Sequence, residues 1–164
     1  SALGGTVSYA EVQAMVDSAL AYLSGQQNAD GGFGSVEADV WAIIALSTLG
    51  RDADTDPAFV KNGKSLLADM LSYQEESSGA FRHLLSGSVD QMATEEAAYG
   101  LVAYDRFKNG RNTLYDMSDV EIAPNSADSG ESGSGEGEFE GLWRRFRKRL
   151  VCRCGGLRFQ PRAL

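Results

Sequence analysis

Apolar residues recur at helical spacing soon after the N-terminus: Val12, Met15, Val16, Ala19, Leu20 and Leu23. That period predicts a helix over about residues 9–24. Ser8-Tyr9-Ala10-Glu11 before it has the S-x-x-E form of a capping box. The Gly-rich stretch QQNADGGFG then ends the helix. A second helix is predicted over Glu37–Leu49. From Ala38 to Leu46 only Asp39 is polar, and a helix apolar on all sides belongs in a core. Asp52 to Pro57 reads as a loop, with Asp56 as N-cap and Pro57 as the first residue of a third helix. That helix is predicted over about 57–73. Phe59, Val60, Gly63, Leu66, Leu67, Met70 and Leu71 form one stripe, and Lys61, Asn62, Lys64 and Asp69 face away. A fourth helix is predicted from Asp90 or Thr94 to about Phe107, carrying Ala97, Ala98, Leu101 and Val102. Gly100 within it costs about 1 kcal/mol against Ala, which points to a close helix–helix approach. Leu114 to Met117 suits a last short packed element.

One motif occurs twice. Leu23-Ser24-Gly25-Gln26 is followed after four residues by Gly31-Gly32-Phe33. Leu71-Ser72-Tyr73-Gln74 is followed after four residues by Gly79-Ala80-Phe81. Both copies read L-S-x-Q-x4-G-x-F, with every matched position 48 residues apart. Ala38–Leu46 also aligns with Glu96–Tyr104 at an offset of 58, setting Trp41 opposite Tyr99. A period near 50 with a helix pair in each unit is the pattern of a helical repeat array.

At these residues the chain resembles the terpenoid cyclase / protein prenyltransferase α/α-toroid superfamily. Its repeats end an outer helix with Gln and follow it with Gly-x-Trp or Gly-x-Phe before an inner helix. Gln26, Gly31 and Phe33 match once; Gln74, Gly79 and Phe81 match again, with Phe in place of Trp. The resemblance covers roughly residues 9–110 and is nearest to repeats of extracellular and surface proteins of Gram-positive bacteria. It implies a structural role for the six matched residues. The Gln amide would bond free backbone groups at a helix end, the ring would pack against it, and glycine would permit the reversal. The resemblance also implies an incomplete ring, since closure takes about five or six helix pairs and two are visible here.

Charge divides the chain. Residues 1–142 carry 7 Lys/Arg against 23 Asp/Glu, whereas residues 143–164 carry 8 Lys/Arg and no acid. An acidic body argues against nucleic-acid binding by the folded part, because phosphate contact needs cations. The stretch PNSADSGESGSGEGEFEG has little to bury and reads as a disordered Ser/Gly linker, assigned to residues 121–141. The basic tail over 142–164 interleaves Arg with Leu, Trp and Phe. It has the pattern of a segment that could touch anionic membrane or nucleic acid, but its composition matches nothing before it, and an out-of-frame or truncated terminus without a selected function is the preferred reading. Cys152 and Cys154 both lie in that tail, too few ligands for a structural zinc site. No membrane span or signal peptide is visible, which fits either a cytosolic protein or one whose leader has been removed.

Each candidate for chemistry has a structural rival. Asp52-Ala53-Asp54-Thr55-Asp56 approaches the D-x-D-D acid of class II terpene cyclases, but Thr55 at the fourth position breaks the match, and a polar loop with an N-cap is the preferred reading. Glu95-Glu96, with Asp90 nearby, suggests a paired acid, or simply acids favoured by a helix N-terminus. His83 is the only histidine and suits a loop residue. Trp41, Tyr99 and Glu96 are candidate ligand-binding residues on a toroid inner face, or core. The expectation is thus an all-α fold, with tandem helical hairpins of an incomplete α/α toroid over residues 1–120 (repeats about 9–50 and 57–110). No catalytic residue, metal site or cofactor is assigned. The function expected is a non-catalytic binding or scaffold module at a Gram-positive cell surface, meeting a small ligand or protein at its open repeat face. The alternative is a fragment of an isoprenoid-handling cyclase or prenyltransferase.

Overall fold

The computed structural model describes residues 7–121. The basic tail, its two cysteines and the linker from residue 122 onward lie outside the described residues. The fold is mostly helical: α1 (Tyr9–Gln26), α2 (Val36–Thr48), α3 (Leu66–Ser72) and α4 (Gln91–Lys108). A 3-10 turn (Pro57–Phe59) and a two-stranded antiparallel hairpin, β1 (Val60–Lys61) and β2 (Lys64–Ser65), stand between α2 and α3.

The start signals of the first and fourth helices hold. Ser8 and Glu11 close a capping box: the Ser8 N–H donates to Glu11 Oε2 at 2.8 Å, and the Glu11 N–H donates to Ser8 Oγ at 3.3 Å. Ser35, Ser65 and Asp90 cap the other three helices through their side-chain oxygens. Two helices also stop alike. Past α2, Gly50 (φ +72°) lets the Arg51 N–H reach the Leu46 carbonyl at 2.8 Å; past α4, Gly110 (φ +63°) lets the Arg111 N–H reach the Arg106 carbonyl at 2.9 Å. Both are Schellman ends.

α2 is the centre. Val36, Val40, Ile43 and Leu46 are fully buried, as a helix with apolar residues on most sides requires. α4 lies alongside it in parallel. Gly100 faces Val40 so closely that an added methyl would sit 3.3 Å from both Val40 γ carbons. At the far end Asp52 joins the two helices: the Tyr104 hydroxyl donates to its Oδ1 at 3.0 Å and Lys108 Nζ to its Oδ2 at 2.6 Å. α3 runs back along α2 and buries Leu66, Leu67 and Met70.

Two expectations are corrected. The third helix is not continuous over 57–73, and the fold is therefore not purely α. Asn62-Gly63 takes positive φ at both residues (+51° and +76°) and makes a tight hairpin turn. Asn-Gly is the strongest two-residue signal for that turn, and here it overrides an apolar spacing that suits a helix. The stripe still reaches the core, because Phe59 is delivered by the 3-10 turn and Leu66, Leu67 and Met70 by α3. The apolar stripe of α1 is the second correction. Only Leu20 is buried, while Val12 and Met15 are exposed. α1 meets the rest chiefly at its C-terminal end, where the Ser24 hydroxyl donates to the Ala58 carbonyl at 2.5 Å.

Two substitutions measure this core by urea unfolding. Gly100→Val should cost about 1–3 kcal/mol through overpacking against Val40. Phe59→Ala should cost about 3–5 kcal/mol through the cavity it leaves.

Candidate functional site

The two repeat corners are built alike. In the second, Gln74 Nε2 donates to the Gly79 carbonyl at 3.0 Å, and the Phe81 N–H donates to Thr94 Oγ1 at 2.9 Å. In the first, the amide that does this work belongs to Gln27. Its Nε2 donates to the Gly31 carbonyl in a very short bond and to the Phe59 carbonyl at 2.8 Å. Gln26, the residue picked by the repeat spacing, is the last residue of α1 and is exposed. Gly31 has φ +99°, and an added methyl would lie 2.9 Å from the Lys64 carbonyl, so only glycine fits there. Gly79 likewise takes positive φ (+76°). Phe81 is fully buried and Phe33 half-buried. The Phe33 N–H donates to Asp39 Oδ1 at 2.7 Å.

Asp39 carries the chemistry of the first corner. It is fully buried within α2. Its Oδ1 holds the Phe33 N–H, while its Oδ2 is buried with no donor among the described residues. Asp69, on α3, is the group beside it. Both carboxyls converge above Gly32: a methyl there would lie 1.9 Å from Asp69 Oδ2 and 2.8 Å from Asp39 Oδ1. Burial pushes the Asp39 carboxyl up to about 8, and the hydrogen bond with Asp69 raises it further against the opposing pull of the Phe33 N–H. Burial also raises Asp69 above the ordinary carboxylate range. Two carboxyls this close cannot both ionise cheaply, so the pair retains one proton near neutrality. Tyr73 is pushed up to about 12 by burial and then by Asp39 and Asp69.

Asp69 and Tyr73 also line an open cleft of about 730 Å³, together with Asp30, Lys64, Leu84 and Leu85. Lys64 Nζ pairs with Asp30 at 2.5 Å across its rim. Leu84 and Leu85 are exposed at 44% and 59%, an apolar wall open to solvent. The cleft thus combines carboxyl acceptors with exposed aliphatic surface.

The residues singled out from sequence fall elsewhere. Trp41 and Tyr99 stand exposed on α2 and α4, and Glu96 is half-buried with Oε2 unbonded. None of the three lines this cleft, nor the smaller cavity of about 350 Å³ between the C-terminal ends of α2 and α4. The acids of 52–56 are structural. Asp54 accepts the Ser65 hydroxyl at 2.6 Å, and Asp56 caps the 3-10 turn while pairing with Arg51 at 2.6 Å. Arg51 holds Asp56 below the ordinary carboxylate range. Burial opposes the same shift at Asp52, but Lys108, the Asp54 N–H and Tyr104 outweigh it. Ionised acids of this kind cannot serve as proton donors. Asp90 is an N-cap, Glu95 is exposed, and His83 Nδ1 lies 2.7 Å from Glu37 Oε2. No group of three metal-ligating side chains occurs among the described residues.

The sequence reading did not bring Asp39 and Asp69 together as an acid pair. A lone carboxyl inside an otherwise apolar helix was the available signal, since a buried acid needs a partner or a proton. Asp69 gave none, because the helical phase turned it outward.

Truncating the two neighbouring glutamines separates their roles. Gln27→Ala should cost about 1–3 kcal/mol, because two buried carbonyls lose their donor. Gln26→Ala should stay within about 0.5 kcal/mol. Equilibrium unfolding of both variants reads the difference, and equal costs would remove the assignment of the corner to Gln27.

No protein-family model, no curated protein and no solved structure matches the chain.

Proposed function

We propose that the chain is a non-catalytic binding module built from α/α-toroid-type helical repeats, with its ligand seat in the cleft beside Asp39 and Asp69. The observation that carries this reading is the composition of that cleft. It pairs carboxyl acceptors at Asp30 and Asp69 with exposed aliphatic surface at Leu84 and Leu85. A small ligand that combines a protonated amine or hydroxyl with a hydrocarbon body matches both. The repeat kinship is supported by two corners with the same amide-to-carbonyl bond, and by parallel α2 and α4 linked through an antiparallel α3. The Gly-x-Phe corners and the toroid resemblance also underlie the proposed setting, the surface or exterior of a Gram-positive bacterium. A protein partner at the open repeat face is the other occupant in keeping with this reading.

A second reading has one observation in its favour. A carboxyl pair that keeps a proton near neutral pH is the resource a general acid needs, and Asp69 is its cleft-facing member. Such a pair would suit a piece of a cyclase-like enzyme acting on isoprenoids.

One experiment separates the two. The full chain is incubated with squalene and with prenyl diphosphates for product analysis, and melted in parallel with hexylamine, octylamine and the corresponding alcohols. Stabilisation without turnover is expected, reaching about 2.7 kcal/mol at a hundredfold excess over Kd. Turnover of either isoprenoid would overturn the binding-module reading.

A further inference from the structure

The two repeats of this chain supply their own control. α2 and α4 each place an oxygen at the fourth helical position, and each uses it to accept the phenylalanine N–H of its corner: Asp39 for Phe33, Thr94 for Phe81. In α4 a neutral hydroxyl suffices. The corner therefore does not need a carboxyl, and the second oxygen of Asp39 is surplus to the repeat. The residue before each phenylalanine differs as well. It is Ala80 in one corner and Gly32 in the other, and Gly32 is where any side chain would strike both carboxyls. Two of the positions at which the first repeat departs from the second, Asp39 and Gly32, serve the same contact, Asp39 of α2 against Asp69 of α3.

We propose that Asp39 and Asp69 form a proton-dependent latch that holds α3 against α2, closed while the pair shares one proton and released when that proton leaves. The charges around it favour retention. Glu37 lies on α2, and Asp30 in the turn after α1; against them stand Lys64 on β2, already paired with Asp30, and His83, paired with Glu37. Tyr73 closes the end of α3 and stays neutral through the working range. The Phe33 N–H is the one donor fixed on the pair from the backbone. Once both carboxyls are charged, Asp39 has no route to water, whereas Asp69 already faces the cleft and can turn outward.

The direction of the pH effect follows. The folded-state value for Asp39 lies near 8, against 3.8 for the free side chain. Between those values the folded chain binds more protons than the unfolded chain, so stability falls as pH rises through that window. The latch goes beyond the ligand-binding reading and holds whether or not the cleft is ever filled.

The test uses the full chain with two variants. Asp39→Asn keeps the acceptor for Phe33 and offers Asp69 a permanent donor, so it mimics the closed state. Asp39→Thr copies the second repeat and has no latch. Melting is followed from pH 6 to pH 9, alongside a carboxyl-carbon NMR titration of the parent. The gap between the parent and Asp39→Asn, already open at pH 6, should widen to about pH 8 and then level off, a further relative loss of roughly 5–10 °C. One aspartate carboxyl should titrate near pH 8. A parent that tracks Asp39→Asn across the range, or aspartates that all titrate below pH 6, would overturn the latch. Should a variant not fold, the parent titration decides alone.

Discussion

α2 has almost no outward side. Val36, Val40, Ile43, Ile44 and Leu46 are buried, and elements must cover the helix around most of its circumference. α4 lies along one flank, α3 along another, and the Gly31–Phe33 corner closes on its N-terminal end. Burial on this scale supplies the stabilisation, and it imposes a condition: each polar group carried inside must find a partner there. The remaining architecture is the set of answers to that condition. Gly100 has no side chain so that α4 can come close. Ser35 caps the helix start, and Gly50 lets the Arg51 N–H satisfy the end.

Asp39 is the polar group for which the answer is least ordinary. Its Oδ1 meets a backbone N–H and converges with the Asp69 carboxyl above Gly32. A neutral residue in the same place in α4 shows that the fold has a cheaper solution available. Burial and the facing carboxyl both favour the protonated form, so the corner stores a proton where its twin stores none. The acids of the 52–56 loop show the opposite outcome. There Asp52 pairs with Lys108 and Asp56 with Arg51, and both carboxyls are held below the ordinary range. Two groups of aspartates on one small domain are driven in opposite directions by the neighbours they are given.

Much of the helix plan was legible because it is local. Ser8 and Glu11 lie within one turn, and so does Asp56 with Pro57; a cap is a contact between near neighbours in the chain. The all-apolar run after Ala38 announced a buried helix without reference to its surroundings. The errors came where two local signals competed or where a contact was distant. At Asn62-Gly63 the turn chemistry outweighed the helical period. At Gln26-Gln27 the repeat spacing named the wrong member of an adjacent pair. α1 continues to Gln26, which leaves Gln27 as the residue facing the Gly31 and Phe59 carbonyls. Trp41 and Tyr99, which the alignment set opposite one another, are both exposed.

The sequence by itself determined that helices form, where most of them start and stop, that one of them is buried, and that a corner motif recurs. These follow from periodicity and capping, which act over a few residues. Only the tertiary structure decided that Asp39 faces Asp69, that Gly32 is empty to admit them, and that a cleft opens beside Leu84 and Leu85. Those facts depend on how α3 is laid against α2 after a hairpin has turned the chain. Residue spacing specifies which side of a helix is oily, but what stands opposite that side is set by the placement of the next element.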